Sequence, residues 1–590
     1  MKVPQKQDVA FIAAVKKHRG GYLEEAAEAY RKILRLRPRH VDALVNLGLI
    51  CRVKGDFSQA QTLYEQAVQV NPHAGVAWSN LASLLLAMGQ RENARIAAQR
   101  ATMETPGLAA AHDNLGFALF QLNRFDEAEQ SLLLATKLDP NAANAWNNLG
   151  QVLQRQSRLV EAASAFQHAV KLAPASPTAF SNLLFTMHFG SQWTAEEIHT
   201  AHLKWGQQFE SPLLSRSPMF SRKIENIAAR PRVAFISPDL CNHPVAMFLR
   251  PLITHWPHDR FELGFYASIK KADKTTQWFK EQSDLWSDIY SLTDEAAASQ
   301  IAQDRIDILI DLSGHTGFNR LMVLAYRPAP IQMSWLGYFD TTGMSAVDYV
   351  LADEVCVPPV LEHLFTEKVL RLPDGFVCYD PPANSPEPGP LPAFANGHIT
   401  FGSQNQLAKI TDEVIALWAE LLASVPNSRL FFQAKAFNDA RTVEHIAKAF
   451  EDYGIDRCRI DFLPARQPQE ILANYRHIDI ALDPFPCAGG TTTCEALWMG
   501  VPVVSLLGDR FGGRHSASHL TNVGLSNLVA TDKTGYLFAA RTLASDLSAL
   551  AAIRKQLRQD MLASPLCDGK RFAENFAMLL AQTSTMRLGQ

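Results

Sequence analysis

Along the first third of the chain the alternation of apolar and polar positions repeats every 34 residues. A buried-type alanine recurs at Ala26, Ala60, Ala94, Ala128 and Ala162, and a proline closes each cycle at Pro38, Pro72, Pro106, Pro140 and Pro174. Each cycle also carries an asparagine, at Asn46, Asn80, Asn114, Asn148 and Asn182, followed at once by Leu47, Leu81, Leu115, Leu149 and Leu183. A period of this length predicts one helix hairpin per cycle. A lone hairpin cannot bury its apolar face, so successive hairpins stack into a solenoid. The first cycle has Ile12 where the asparagine belongs, which suits a terminal cap.

The period, the early Leu-Gly, the alanine and the closing proline are the signature of tetratricopeptide repeats. They occupy residues 1–190. The asparagines fall at one place on the first helix of each hairpin and form a ladder along the concave face. An amide side chain offers donors and an acceptor, so such a ladder grips an extended peptide backbone without reading its side chains. The competing reading is that these asparagines stabilise the hairpins themselves.

After about Phe189 the 34-residue register stops, and residues 191–230 read as a helical linker. From residue 231 short apolar runs with a strand-like pattern alternate with helical stretches. They are Arg232–Ser237, Phe261–Tyr266, Ile306–Leu312, Ile331–Leu336 and Tyr349–Ala352, with a helix over Glu295–Asp304. This alternation predicts a doubly wound parallel sheet over residues 231–380. A proline-rich stretch follows, predicting a stiff, unstructured linker over residues 381–397. A second α/β series then fills residues 398–590, with strands at Ile399–Ser403, Ser428–Gln433, Ile460–Leu463, Ile478–Leu482 and Val501–Leu506. Two such lobes place a ligand cleft at the carboxyl ends of their strands.

Composition narrows the function. A net charge of −3 argues against a nucleic acid or an anionic membrane as the main partner. No apolar run is long enough to span a bilayer, and the N-terminus lacks a signal-peptide core. Eight cysteines without CxxC spacing fit reduced thiols and a cytoplasmic location better than disulfides or zinc.

Four segments carry chemistry. Asp483–Leu497 runs from a strand through Gly489-Gly490-Thr491-Thr492-Thr493 into a helix expected over Cys494–Met499. Helix-N-terminal amides and hydroxyls bind phosphate, and Glu495, one turn in, is placed to accept from ribose hydroxyls. The plainer alternative is hydroxyl capping of an ordinary helix. In Phe401–Ile410, Lys409 follows a strand, where a lysine neutralises a leaving diphosphate or else is simply solvated. In the first lobe, His243 in Ser237–Pro244 and His315 in Asp311–Thr316 lie in loops after strands, and His243 suits proton transfer near neutrality.

The repeats, His243-Pro244, Arg327–Gln332, Trp335–Tyr338, Asn405–Lys409 and Gly490-Thr491-Thr492, in this order, resemble the protein O-GlcNAc transferase/SPINDLY family (glycosyltransferase family 41). The resemblance covers almost the whole chain. It implies a tetratricopeptide α-solenoid followed by an α/β GT-B glycosyltransferase of two Rossmann-like lobes. It implies inverting transfer from a nucleotide-sugar to Ser or Thr hydroxyls, with no metal and no cofactor beyond that co-substrate. Position by position, it implies a catalytic role for His243 and Lys409, and donor contacts from Gln406, Lys409, Gly490, Thr491, Thr492 and Glu495. His315, Tyr338, Thr341, Thr342 and Gly343 would line the sugar and acceptor site. Acceptor proteins would lie in the repeat groove, and the repeats also offer a route to oligomers.

Two departures stand out. Ile471, eight residues before Asp479, occupies the place of a histidine stacked on the donor base, and Gly490 stands where the O-GlcNAc transferases carry histidine. Segments such as Lys271–Lys274, Thr400–Ser403 and Ala563–Gly569 look more like the SPINDLY branch, which includes GDP-fucose enzymes. Family breadth favours UDP-GlcNAc, with GDP-fucose as the alternative donor. A peptide-binding scaffold without catalysis is the alternative of another class.

Overall fold

The computed structural model describes residues 6–214, 230–464 and 468–588. It divides into two compact units, residues 1–174 and 175–590. The first consists of five helix hairpins: Lys6–Arg19 with Leu23–Leu36, Val41–Val53 with Phe57–Val70, Gly75–Ala87 with Arg91–Glu104, Ala109–Gln121 with Phe125–Leu138, and Ala143–Arg155 with Leu159–Leu172. The periodic residues explain the hairpins. The alanines at 26, 60, 94, 128 and 162 are fully buried. The glycine after Asn-Leu lets the two helices of a hairpin touch: a Cβ on Gly150 would lie 2.7 Å from the Phe166 ring, and one on Gly116 2.5 Å from Leu132. The closing prolines accept through their carbonyls, from Trp78 Nε1 to Pro72 (2.8 Å), His112 Nε2 to Pro106 (2.9 Å) and Trp146 Nε1 to Pro140 (3.0 Å).

The second unit opens with the helices Pro177–Met187 and Ala195–Phe209. The unit boundary thus falls before the last repeat-like helix, which carries Asn182. The expected linker over 191–230 holds a full helix, started by a Thr194–Glu197 capping box. This helix is docked on the α/β fold. A Cβ on Gly206 would lie 2.0 Å from the Gly343 carbonyl oxygen, and Gly343 adopts φ +72°, so both positions need glycine. The Glu210 carboxylate accepts from the backbone of Ser345 (2.9 Å) and Ala346 (2.6 Å).

The first sheet consists of β1 (Arg232–Ser237), β2 (Glu262–Ala267), β3 (Leu285–Asp288), β4 (Ile308–Asp311), β5 (Ile331–Ser334), β6 (Tyr349–Asp353) and β7 (Lys368–Leu372), in the order 3-2-1-4-5-6-7. The second consists of β8 (Thr400–Ser403), β9 (Arg429–Ala434), β10 (Ile460–Pro464), β11 (Ile480–Leu482), β12 (Val503–Leu506) and β13 (Val529–Ala530), in the order 10-9-8-11-12-13. All pairings are parallel. The order reverses between β1 and β4 and again between β8 and β11, so each sheet has one crevice at which a ligand binds.

The proline-rich stretch has no regular structure before the short helix Ala393–Asn396, yet it is held in place. Arg558 donates to the Pro386 carbonyl (2.6 Å) and Arg554 to that of Gly389 (2.9 Å). Arg554 also reaches the carbonyl of Ile478 (2.7 Å), tying the stretch to the second sheet. The last helix, Gly569–Leu588, returns to pack on the first lobe, against Pro244–Thr254 and β7.

Replacing Gly150 with valine forces side-chain carbons into Phe166. We expect a loss of about 1–3 kcal/mol in the repeat unit, read as an earlier urea transition of the helical signal. An unchanged transition would sink the packing argument.

Candidate functional site

The loops after the four switch-point strands carry the candidate catalytic and donor-contacting residues and His315, while Tyr338–Gly343 follow β5. In the second lobe the helix after β11 begins at Thr491, three residues before the expected start, and ends at Trp498. Thr491, Thr492 and Thr493 therefore form its first turn, with Gly490 as N-cap; the Thr493 amide turns back to the Gly490 carbonyl (3.2 Å), which leaves those of Thr491 and Thr492 for the crevice. Buried Asp483 holds the turn: its carboxylate accepts from Gly489 N (2.7 Å) and Ser505 Oγ (2.6 Å). Thr493 is tied to Ser516 (2.7 Å), whose hydroxyl also donates to the Gly489 carbonyl (2.9 Å). Thr492 Oγ1 donates to Asn405 Oδ1 (3.0 Å), joining this turn to the loop after β8.

Lys409 ends a short 3-10 turn in that loop, and its Nζ donates to the Ala488 carbonyl (2.6 Å). The ammonium is thereby parked beside Gly489-Gly490, so the solvated reading of Lys409 does not hold. Gln406 lies exposed at the start of the same turn, and the neighbouring Gln404 has both amide atoms buried without partners. Glu495 sits in the next turn of the helix, where burial pushes its carboxyl up to about 7. No described residue bonds it, which leaves it ready for hydroxyl donors. Ile471 is half-buried on the helix Pro468–Asn474.

His243 is the N-cap of the helix Pro244–Thr254 after β1, with its side chain 44 % exposed. The Val245 amide donates to its Nδ1 (3.3 Å), so a neutral ring carries its proton on Nε2. In this geometry His243 presents a donor to the crevice. Asp239 Oδ1 lies 3.7 Å from Nδ1, and burial raises the Asp239 carboxyl.

The residues expected at the sugar and acceptor site are all engaged within the protein. His315 Nε2 donates to the Thr342 carbonyl (2.9 Å) and its Nδ1 accepts from Ser181 Oγ (3.1 Å). Both nitrogens are engaged, and burial lowers the ring to about 4, so His315 is a neutral tie between helix Pro177–Met187 and the lobe. Tyr338 Oη bridges His202 Nε2 (2.7 Å) and His188 Nε2 (3.0 Å). His202 Nδ1 donates to the Ile198 carbonyl (2.8 Å), so its Nε2 accepts from Tyr338, which in turn accepts from His188. Thr341 and Thr342 donate their hydroxyls to the buried Glu367 carboxylate. Gly343 serves the contact with Gly206. Phe339 of this loop reaches towards the second lobe, edge-on to His515 at 5.3 Å.

Sequence reasoning missed His188, His202, Glu210 and Glu367, because each finds its partner far along the chain. Among the described residues no group of three or more His, Cys, Asp or Glu side chains is placed to hold a metal ion. No single described helix is long and apolar enough to cross a membrane.

The model of glycosyl transferase family 41 matches residues 210–383 and 391–576, more than half of the chain. The chain belongs to this family. Tetratricopeptide-repeat models match residues 19–58, 54–113 and 114–177. A barley protein called "Probable UDP-N-acetylglucosamine--peptide N-acetylglucosaminyltransferase SPINDLY" is 39% identical over 398 residues, 66% of this chain and 42% of that protein. An Arabidopsis thaliana protein of the same name is 38% identical over 406 residues, 66% of this chain and 43% of that protein. The chain thus spans less than half the length of these curated relatives. A mutant of the Thermobaculum terrenum O-GlcNAc transferase superposes with a TM-score of 0.81 at 32% identity, covering 87% of this chain and 98% of that one. The architecture is therefore a tetratricopeptide solenoid followed by a GT-B pair of lobes.

Because Glu495 titrates near 7 in the fold against an ordinary 4.5, its ionisation opposes folding. The stability it contributes is complete at acid pH and is lost as pH rises through 7. Glu495→Gln should raise the melting temperature of the ligand-free protein at pH 8 and leave it nearly unchanged at pH 5. Equal shifts at both values would refute the burial argument.

Proposed function

We propose that the chain is an inverting protein O-glycosyltransferase that moves N-acetylglucosamine from UDP-GlcNAc to Ser or Thr hydroxyls, without a metal ion. The observation that carries this reading is Lys409 docked on the Ala488 carbonyl beside the Gly490–Thr493 helix start. A fixed cation and a helix N-terminus facing one crevice suit a diphosphate whose charge grows as the sugar leaves. Glu495 takes the ribose hydroxyls, and Gln406, Thr491 and Thr492 complete the donor contacts. The names of the SPINDLY relatives support the UDP-GlcNAc choice.

His243 positions the acceptor at the opposite wall. With Nε2 protonated it donates, and a donor phosphate oxygen is the better acceptor for the hydroxyl proton. Acceptor proteins are captured by the repeats. Asn114 Nδ2 donates to Ser79 O (3.0 Å) and Asn148 Nδ2 to Asp113 Oδ1 (2.8 Å), so these two also stitch neighbouring repeats. Among the described residues Asn80 bonds its own helix alone, at Val76 O (3.0 Å). All eight cysteines are free thiols, in keeping with a reducing, cytoplasmic setting.

Radiolabel transfer to lysate proteins from UDP-GlcNAc, with GDP-fucose in parallel, tests the reading. Lys409→Ala should lower transfer by at least about a hundredfold, the loss expected for one preorganised charge, while the melting temperature holds. Transfer from GDP-fucose alone would change the donor. Wild-type rates in the variant would overturn the site.

Asn114→Ala should lower both stability, by about 1 kcal/mol, and acceptor labelling. Asn80→Ala should lower labelling alone, as compared by urea unfolding and transfer on one preparation. Unchanged labelling in both variants would return the asparagines to a purely structural role.

A further inference from the structure

One buried imidazole at the crevice of the second lobe has a ring nitrogen without a partner. His515 begins the helix His515–Asn522 and is only 9 % exposed, and its Nε2 is enclosed without a hydrogen bond. Three aromatic rings wall it: Phe339 and Phe511, edge-on at 5.3 Å, and Phe376 at 5.1 Å. None of them offers an oxygen or nitrogen acceptor for an N–H. The ring therefore carries its proton on Nδ1, because an N–H enclosed among aromatic rings costs more than a lone pair there. Burial, with the nearby Lys409 ammonium, keeps the ring neutral.

Nδ1 faces Gly490. A Cβ built on Gly490 would meet nothing nearer than this nitrogen, at 3.8 Å. The N-cap of the candidate phosphate helix thus bears no side chain, and the space it leaves is bounded by an imidazole from another helix. On the other side of the turn Lys409 holds the Ala488 carbonyl (2.6 Å).

We infer that His515 is a donor-contacting residue: across the gap left by Gly490, its Nδ1–H donates to the diphosphate of the bound nucleotide-sugar. This rests on the donor reading of the Gly489–Thr493 turn. The second lobe then supplies from its helix His515–Asn522 a group that position 490 lacks, and Phe339 couples that group to the first lobe.

The test is calorimetric binding of UDP and of GDP to the full chain. His515→Ala should weaken binding of the preferred nucleotide about tenfold to a hundredfold, as for one lost hydrogen bond to a charged group. Adding Gly490→His to that variant should restore binding to within a fewfold of wild type, because the new ring enters the same space. A packing role for His515 predicts no such rescue, so failure of the double variant to recover overturns the inference. Unchanged binding in His515→Ala overturns it too, provided that Lys409→Ala binds weakly. If wild type binds neither nucleotide, or Lys409→Ala binds as wild type does, the donor reading itself has failed.

Discussion

The order in which parallel strands are laid down decides where the candidate site of this protein lies. A sheet that starts in its middle and grows first one way, then the other, leaves a gap between the two loops that part company. Here the gap lies between β1 and β4 in one lobe and between β8 and β11 in the other. His243 follows β1, Lys409 follows β8 and the Gly490–Thr493 turn follows β11. Burial of both faces makes the sheets rigid, and the loops inherit that rigidity without being buried themselves. Asp483 shows how little flexibility is left, since its enclosed carboxylate fixes both the Gly489 amide and the Ser505 hydroxyl.

The repeats were legible because their signal is redundant. One alanine, one glycine and one proline recur for a stated packing reason, so a single substitution such as Ala82 for glycine does not hide the period. The central strands were legible for a related reason, as continuous apolar runs. The three strands that sequence reasoning passed over, β3, β7 and β13, all lie at sheet edges. Their burial is broken, as in Lys368–Leu372, where only Val369 and Leu372 are buried. An edge strand has one neighbour and partial cover, and its pattern fades accordingly.

The site divides along the same line. Residues whose chemistry acts over a few positions, such as the threonine turn and Lys409, can be read from order along the chain. The loop Gly337–Gly343 cannot. Its neighbours in sequence suggest a sugar site, but its threonines are taken by Glu367 and its tyrosine by two histidines more than a hundred residues earlier. A motif match assigns residues to a loop. Which face of the loop each side chain occupies depends on partners that the motif does not contain.

That distinction also bears on the two departures from the family pattern. Gly490 looked like a loss when the turn was read alone, because a glycine contributes no group to a ligand. In the fold the position is one wall of a small space, and His515 is another. A site selects for a hydrogen bond at a point, not for the backbone position that delivers it. Two helix starts converge on this crevice, so either is able to supply the ring. Ile471 offers only an aliphatic side chain at its own place. On the proposed donor reading, a base held by apolar contact on one face rather than by a stacked ring binds with less orientation, which leaves the diphosphate cradle to set the donor's position.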